Sequence, residues 1–78
     1  MSLLADREVL TTLGDNLRRL REARGLTQTG LGTRCGFTQQ YISNVEQGTE
    51  NITTINLVKL SRGLECNTDD LLTRLKTP

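Results

Sequence analysis

Every apolar run in this 78-residue chain repeats at spacings of three and four, and threonine, asparagine and glycine cut the runs into short pieces. Nothing alternates with period two over a useful length, so the core must be built from helices alone. Leu10, Leu13, Leu17 and Leu20 mark an amphipathic helix from about Asp6 or Thr11 to Arg24, stopped by Gly25. Residues 1–5 stay outside it and are expected to be flexible. A second helix follows Thr27 as N-cap, runs through Leu31 and Arg34 and ends at Gly36; Thr38 caps a third, which closes near Gly48. After a loop from Thr49 to Ile52, Thr53 or Thr54 opens a fourth helix carrying Ile55, Leu57, Leu60 and Leu64, with Gly63 near its end. Asn67 caps a fifth, Asp70 completes a capping-box pattern, and Leu71, Leu72 and Leu75 supply its apolar side. The expected fold is all-α, with five helices in a single domain spanning residues 1–78.

Gly30 and Gly32 lie inside the second helix, where each costs about 1 kcal/mol relative to alanine. Close approach of the second and third helices explains Gly32; the sequence offers no comparable reason for Gly30.

The third helix carries the chemistry. At 100° per residue, Gln39, Ser43, Gln47, Gln40 and Asn44 fall at about 0°, 40°, 80°, 100° and 140° on its wheel, a single stripe of uncharged hydrogen-bonding side chains. Ile42 and Val45, near about 300° and 240°, face a core. A merely solvated face more often carries Lys and Glu, which favour helix and solubility. Gln and Asn pair a donor with an acceptor and so match adenine N6 and N7 in the major groove. A polar exposed face with no ligand is the alternative reading of the stripe.

Charge gives weak support, with ten Lys and Arg against nine Asp and Glu and a net charge of +1. Arg18, Arg19, Arg21 and Arg24 gather toward the end of the first helix, where they also suit its dipole, and Arg34 lies between the second and third. Cys35 and Cys66 lack metal-ligand spacing and the chain has no His, so buried free thiols in a reducing compartment are expected, with no metal and no cofactor. With no base beside either Cys and no phosphate-cradling loop, an enzyme is not expected. No apolar run reaches membrane-spanning length and the start lacks a signal-peptide pattern, so a cytoplasmic location is expected, with no membrane partner and no small-molecule ligand.

The string Leu26-Thr27-Gln28, then Leu31, Gly36, Phe37, Thr38, Tyr41-Ile42-Ser43, Val45-Glu46, Gly48, and later Asn51, Leu57, Lys59-Leu60 and Leu64, resembles the lambdoid repressor (XRE, Cro/C1-type) helix-turn-helix family. The resemblance runs from about Leu13 to Leu75. Tyr41 to Glu46, Asn51-Ile52-Thr53 and Gly63-Leu64-Glu65 are further similar to controller proteins of restriction–modification systems. Those controllers often have Arg where this chain has Gln39 and Gln47, so their base preference does not carry over. The resemblance implies a transcriptional regulator that binds double-stranded DNA as a homodimer with the third helix in the major groove. An antitoxin-type autoregulator and a phage or plasmid repressor are alternatives of the same fold, and so is a protein-interaction module that has kept the fold but lost DNA binding. RNA polymerase is an expected partner only for an activator.

The expected DNA-binding residues follow. Gln28 opens the second helix and suits a phosphate. Gln39 and Gln40 are first choice for bases, with Ser43 and Asn44 one turn deeper. Thr38 both caps and touches phosphate. Tyr41, near about 200°, packs its ring while its hydroxyl reaches a phosphate, or belongs wholly to the core. Gln47 and Asn51 flank the helix exit and meet backbone. Arg21 and Glu46 occupy positions that the resemblance assigns to a structural ion pair joining the first and third helices. The fifth helix, with Leu71, Leu72 and Leu75, together with Leu64 or Ile55, is the expected dimer seam; alternatively those leucines only close the monomer's own core.

Overall fold

The computed structural model describes residues 3–73, with side chains from residue 7 onward. Its described residues form five helices and no strand: α1 (Leu3–Ala23), α2 (Gln28–Cys35), α3 (Gln39–Glu46), α4 (Thr54–Gly63) and α5 (Thr68–Leu72). The helix starts are set locally. Thr27, Thr38 and Thr53 adopt extended backbone and their hydroxyls accept from the N–H of Gly30, Tyr41 and Asn56, at 2.9, 3.0 and 3.1 Å. Asp70 Oδ2 accepts from the Asn67 N–H at 3.0 Å, which fixes the start of α5. The first helix begins at Leu3, earlier than its leucine spacing indicates.

Leu13 and Leu17 of α1, Leu31 of α2, Ile42 and Val45 of α3, Leu60 of α4, Leu64 and Leu71 interlock as the core. The long α1 packs on α3 and α5, α2 on α3 and α4, and α4 on α5. Each short helix is therefore stable only through its neighbours, as helices below about 12 residues must be.

Gly32 is where α2 meets the following turn: a Cβ there would stand 2.5 Å from the Phe37 carbonyl oxygen. Gly30 has a milder constraint, 3.2 Å from Thr27 Oγ1, the hydroxyl that its own N–H bonds. Gly14 goes unremarked in the sequence and marks the close crossing of α1 and α3, since a Cβ would lie 2.6 Å from the carbonyl oxygens of both Val45 and Glu46. Backbone touches backbone there.

The fourth helix ends at Gly63, as expected. Gly63 stays helical, packed so closely under Cys35 and Leu31 that a side chain would not fit, and the left-handed turn falls on exposed Glu65 at φ 56°. A non-glycine residue pays about 1 kcal/mol there. Glu65→Gly is accordingly expected to raise stability by a few tenths to about 1 kcal/mol in urea denaturation; a loss of that size would show the side chain to be needed.

Asn16 is a buried polar residue that the leucine pattern hides. Its Nδ2 donates to the carbonyls of Leu71 at 2.9 Å and Thr73 at 2.8 Å, and Arg19 donates to its Oδ1 at 2.6 Å. One amide thus satisfies carbonyls at the end of α5 that have no helical partner and ties that helix to α1.

The expected dimer residues separate into three groups. Leu64 and Leu71 are fully buried in the monomer's own core and present no surface to a partner. Ile55 and Leu72 are exposed at 69% and 45%, and Leu75 lies outside the described residues. The correction has a simple cause: α5 is one short turn over α1 and α4, so its inward positions close the core and only the intervening ones face out.

Candidate nucleic-acid interface

The turn between α2 and α3 is made by Gly36 in the left-handed region at φ 82°, with the N–H groups of Gly36 and Phe37 both donating to the Gly32 carbonyl at 2.8 Å. Phe37 lies against Tyr41, ring centroids 4.6 Å apart, and Lys59 Nζ stands 5.9 Å from the Phe37 ring centre, so α4 braces the turn. Both N-termini are capped on their third N–H, and the first two N–H groups of α2 and α3 have no partner within the helix. Each end is suited to an anion.

The stripe on α3 faces solvent. Gln39, Gln40 and Gln47 are exposed, while Ser43 and Asn44 are half-buried. Gln40 Nε2 donates to Asn44 Oδ1 at 2.9 Å and Gln47 Nε2 to Ser43 Oγ at 3.1 Å, so neighbouring turns hold one another's amides in line. Asn51 is exposed in the loop beyond. Thr38 is exposed and its hydroxyl is committed to the cap.

Tyr41 packs its ring, as both of its expected readings allow. Its ring is half-buried against Phe37, and its hydroxyl accepts from Asn56 Nδ2 at 3.0 Å, leaving the hydroxyl proton for an outside acceptor. Asn56 is not signalled in the sequence, because a polar residue in the first turn of a helix looks like any other.

Behind the stripe lies a continuous chain of hydrogen bonds. Arg21 grips Glu46 through two nitrogens, Nε to Oε2 at 2.6 Å and Nη2 to Oε1 at 3.1 Å, and donates to the Leu26 carbonyl at 2.7 Å. Gln28 Nε2 donates to Glu46 Oε1 at 3.0 Å, and Gln28 Oε1 accepts from Gln39 Nε2 at 2.7 Å. The side chains of Arg21 and Glu46 are only 11% and 5% exposed. The hydrogen bond that Arg21 donates to Glu46 makes the guanidinium hold its proton still more firmly than usual, with burial working the other way. Gln28 is therefore a link between α3 and the ion pair as well as a surface residue, and one of its amide protons is left to point outward.

Neither thiol is activated. Burial raises both thiols above their ordinary value, against Arg34 and a Gly63 hydrogen bond at Cys35, and together with nearby Asp70 against Arg24 at Cys66. Reactive cysteines are shifted the opposite way. Among the described residues no cluster of His, Cys, Asp or Glu could hold a metal, and no helix is long and apolar enough to cross a membrane.

Two capped helices across a glycine turn, the second exposing a polar row, match a helix-turn-helix family model over residues 17–71. The chain belongs to the helix-turn-helix family of transcriptional regulators. This helix-turn-helix protein is 43% identical over 61 residues to the uncharacterized HTH-type transcriptional regulator y4dJ of Sinorhizobium fredii, covering 78% of this chain and 79% of the relative. Control protein C.BamHI of Bacillus amyloliquefaciens is 33% identical over 60 residues, 76% of this chain and 74% of its own. Among solved structures, the restriction–modification controller protein C.AhdI from Aeromonas hydrophila superposes with a TM-score of 0.77 at 35% identity, over 80% of this chain and 94% of that one. The helix-turn-helix lies wholly inside the matched region.

Proposed function

We propose that this chain is a controller of a restriction–modification system that binds a double-stranded DNA operator as a homodimer, with α3 in the major groove. The carrying observation is the row Gln39, Gln40, Ser43, Asn44 and Gln47, which faces solvent from a helix whose other side is locked into the core. In this reading Gln39 and Gln40 touch base edges first and Ser43 and Asn44 lie deeper. Thr38, Gln28 and the capped helix ends meet phosphates, as do Tyr41, Gln47 and Asn51 at the rim. The likeness to C.BamHI and C.AhdI supports the controller assignment.

One recognition helix spans too few base pairs for selective binding, and a two-fold axis would set two of them about 34 Å apart. Exposed Leu72 beside Val9, with Ile55, replaces the buried leucines as the apolar surface for that contact. Control then follows concentration and dimerisation, with no enzymatic step.

The test is titration of DNA from the gene's own upstream region, followed by fluorescence anisotropy. Gln39→Ala and Gln40→Ala are each expected to weaken specific binding about 10- to 100-fold, the worth of one bidentate base contact, without changing the melting temperature. Unchanged affinity in both variants would contradict a base-reading face and favour a protein-interaction role. A methyltransferase and an endonuclease gene beside this one would separate a controller from an antitoxin or phage repressor.

A further inference from the structure

We infer that Glu46, besides joining α1 to α3, sets which base Gln39 reads. The inference rests on the DNA-reading role proposed for α3. A carboxylate only accepts hydrogen bonds, so the amide of Gln28 must present its nitrogen to Glu46 Oε1, 3.0 Å away. That leaves Gln28 Oε1 facing Gln39, which in turn must present its own nitrogen, 2.7 Å away. One proton of the Gln39 amide is consumed there. What remains outward is one N–H beside one carbonyl oxygen, the donor–acceptor pair that complements adenine N7 and N6.

Reversing the relay would reverse the readout. If Gln28 offered its nitrogen to Gln39, the Gln39 oxygen would turn inward to accept it and the amide's two N–H donors would face the groove, the complement of guanine N7 and O6. The negative charge on Glu46 is what forbids this arrangement, and the charge is held by two bonds from a nearly buried Arg21. Glu46→Gln lifts the restriction. Its carbonyl oxygen keeps the closer Arg21 contact, 2.6 Å from Nε, and gives up the 3.1 Å contact with Nη2, which turns its amide nitrogen toward Gln28 and inverts both glutamines behind it. Glu46 is thus a positioning residue for specificity, two side chains removed from the DNA.

The experiment selects bound duplexes from a library with randomised base pairs, using the whole chain as wild type, Gln39→Ala, Glu46→Gln and Gln28→Leu, with melting temperatures measured alongside. Wild type is expected to enrich adenine at a position where Gln39→Ala loses all preference. At that position alone, Glu46→Gln should lower the adenine-to-guanine ratio at least tenfold. Gln28→Leu, which leaves the ion pair in place and should melt like wild type, should also lower it, toward equality. The adenine ratio surviving in a folded Glu46→Gln or a folded Gln28→Leu, or a wild-type preference other than adenine at the Gln39 position, would overturn the inference while leaving DNA reading intact. Failure of wild type to enrich any sequence would overturn the DNA-reading role itself. Should Glu46→Gln not fold, Gln28→Leu decides.

Discussion

Glu46→Ala is expected to destabilise the domain by about 3–5 kcal/mol, the cost of stripping one partner from a buried ion pair. Arg21 would keep its full charge at 11% side-chain exposure, with the Leu26 carbonyl as its one remaining close acceptor and Glu22 at 3.9 Å. Gln28 would lose its acceptor as well. In a domain of this size each kcal/mol moves the melting point by roughly 4–8 °C, so the variant should unfold well below wild type. Chemical denaturation measures it directly. A change within about 0.5 kcal/mol, the range of ordinary surface substitutions, would show that the pair is solvated and does not bind α1 to α3.

Gly14→Ala is the second large effect and has no polar component. The added methyl would meet two backbone carbonyl oxygens at 2.6 Å, and neither can rotate away as a side chain could. The axes of α1 and α3 must separate, lifting Leu13 and Leu17 off Ile42 and Val45, all of them essentially without exposed surface. Overpacking of this kind costs about 1–3 kcal/mol or more, which outweighs the roughly 1 kcal/mol that alanine gains over glycine in a helix. Because the collision falls on the last residues of α3, operator affinity should fall with stability. An alanine variant at least as stable as wild type would contradict the close crossing.

Much of the fold is legible in the sequence because its signals are local. Threonines at 27, 38 and 53 open helices where they stand, and the leucine spacing marks the faces that form the core. Where the sequence misleads, a contact from a distant element decides. Gly63 ends its helix as its position indicates, but the demand for glycine there comes from Cys35 pressing on it from α2, and the left-handed residue is Glu65. Leu64 and Leu71 look available to a second copy, yet each is claimed by the core. Gly14 and Asn16 are silent in a periodicity, since their meaning lies in the carbonyls of α3 and α5 opposite them.

The interface shows the same division. The outward row of amides on α3 follows from the helical period alone, and its exposure is as expected. The relay behind it joins residues 18 and 11 positions apart, across a turn whose geometry no spacing rule supplies. Sequence therefore identifies the residues that face outward. The folded chain adds how their donors and acceptors are oriented.

Single-atom substitution in a bound duplex decides whether those amides meet base edges in the major groove. Replacing operator adenines one at a time by 7-deazaadenine removes the N7 acceptor in the major groove, whereas 3-deazaadenine removes N3 in the minor groove and nothing else. At one or more adenines in each half-site, 7-deazaadenine is expected to lower affinity at least tenfold, an effect abolished in Gln39→Ala, while 3-deazaadenine there should cause no loss. Sensitivity to 3-deazaadenine alone, or to neither, would contradict base contact in the major groove.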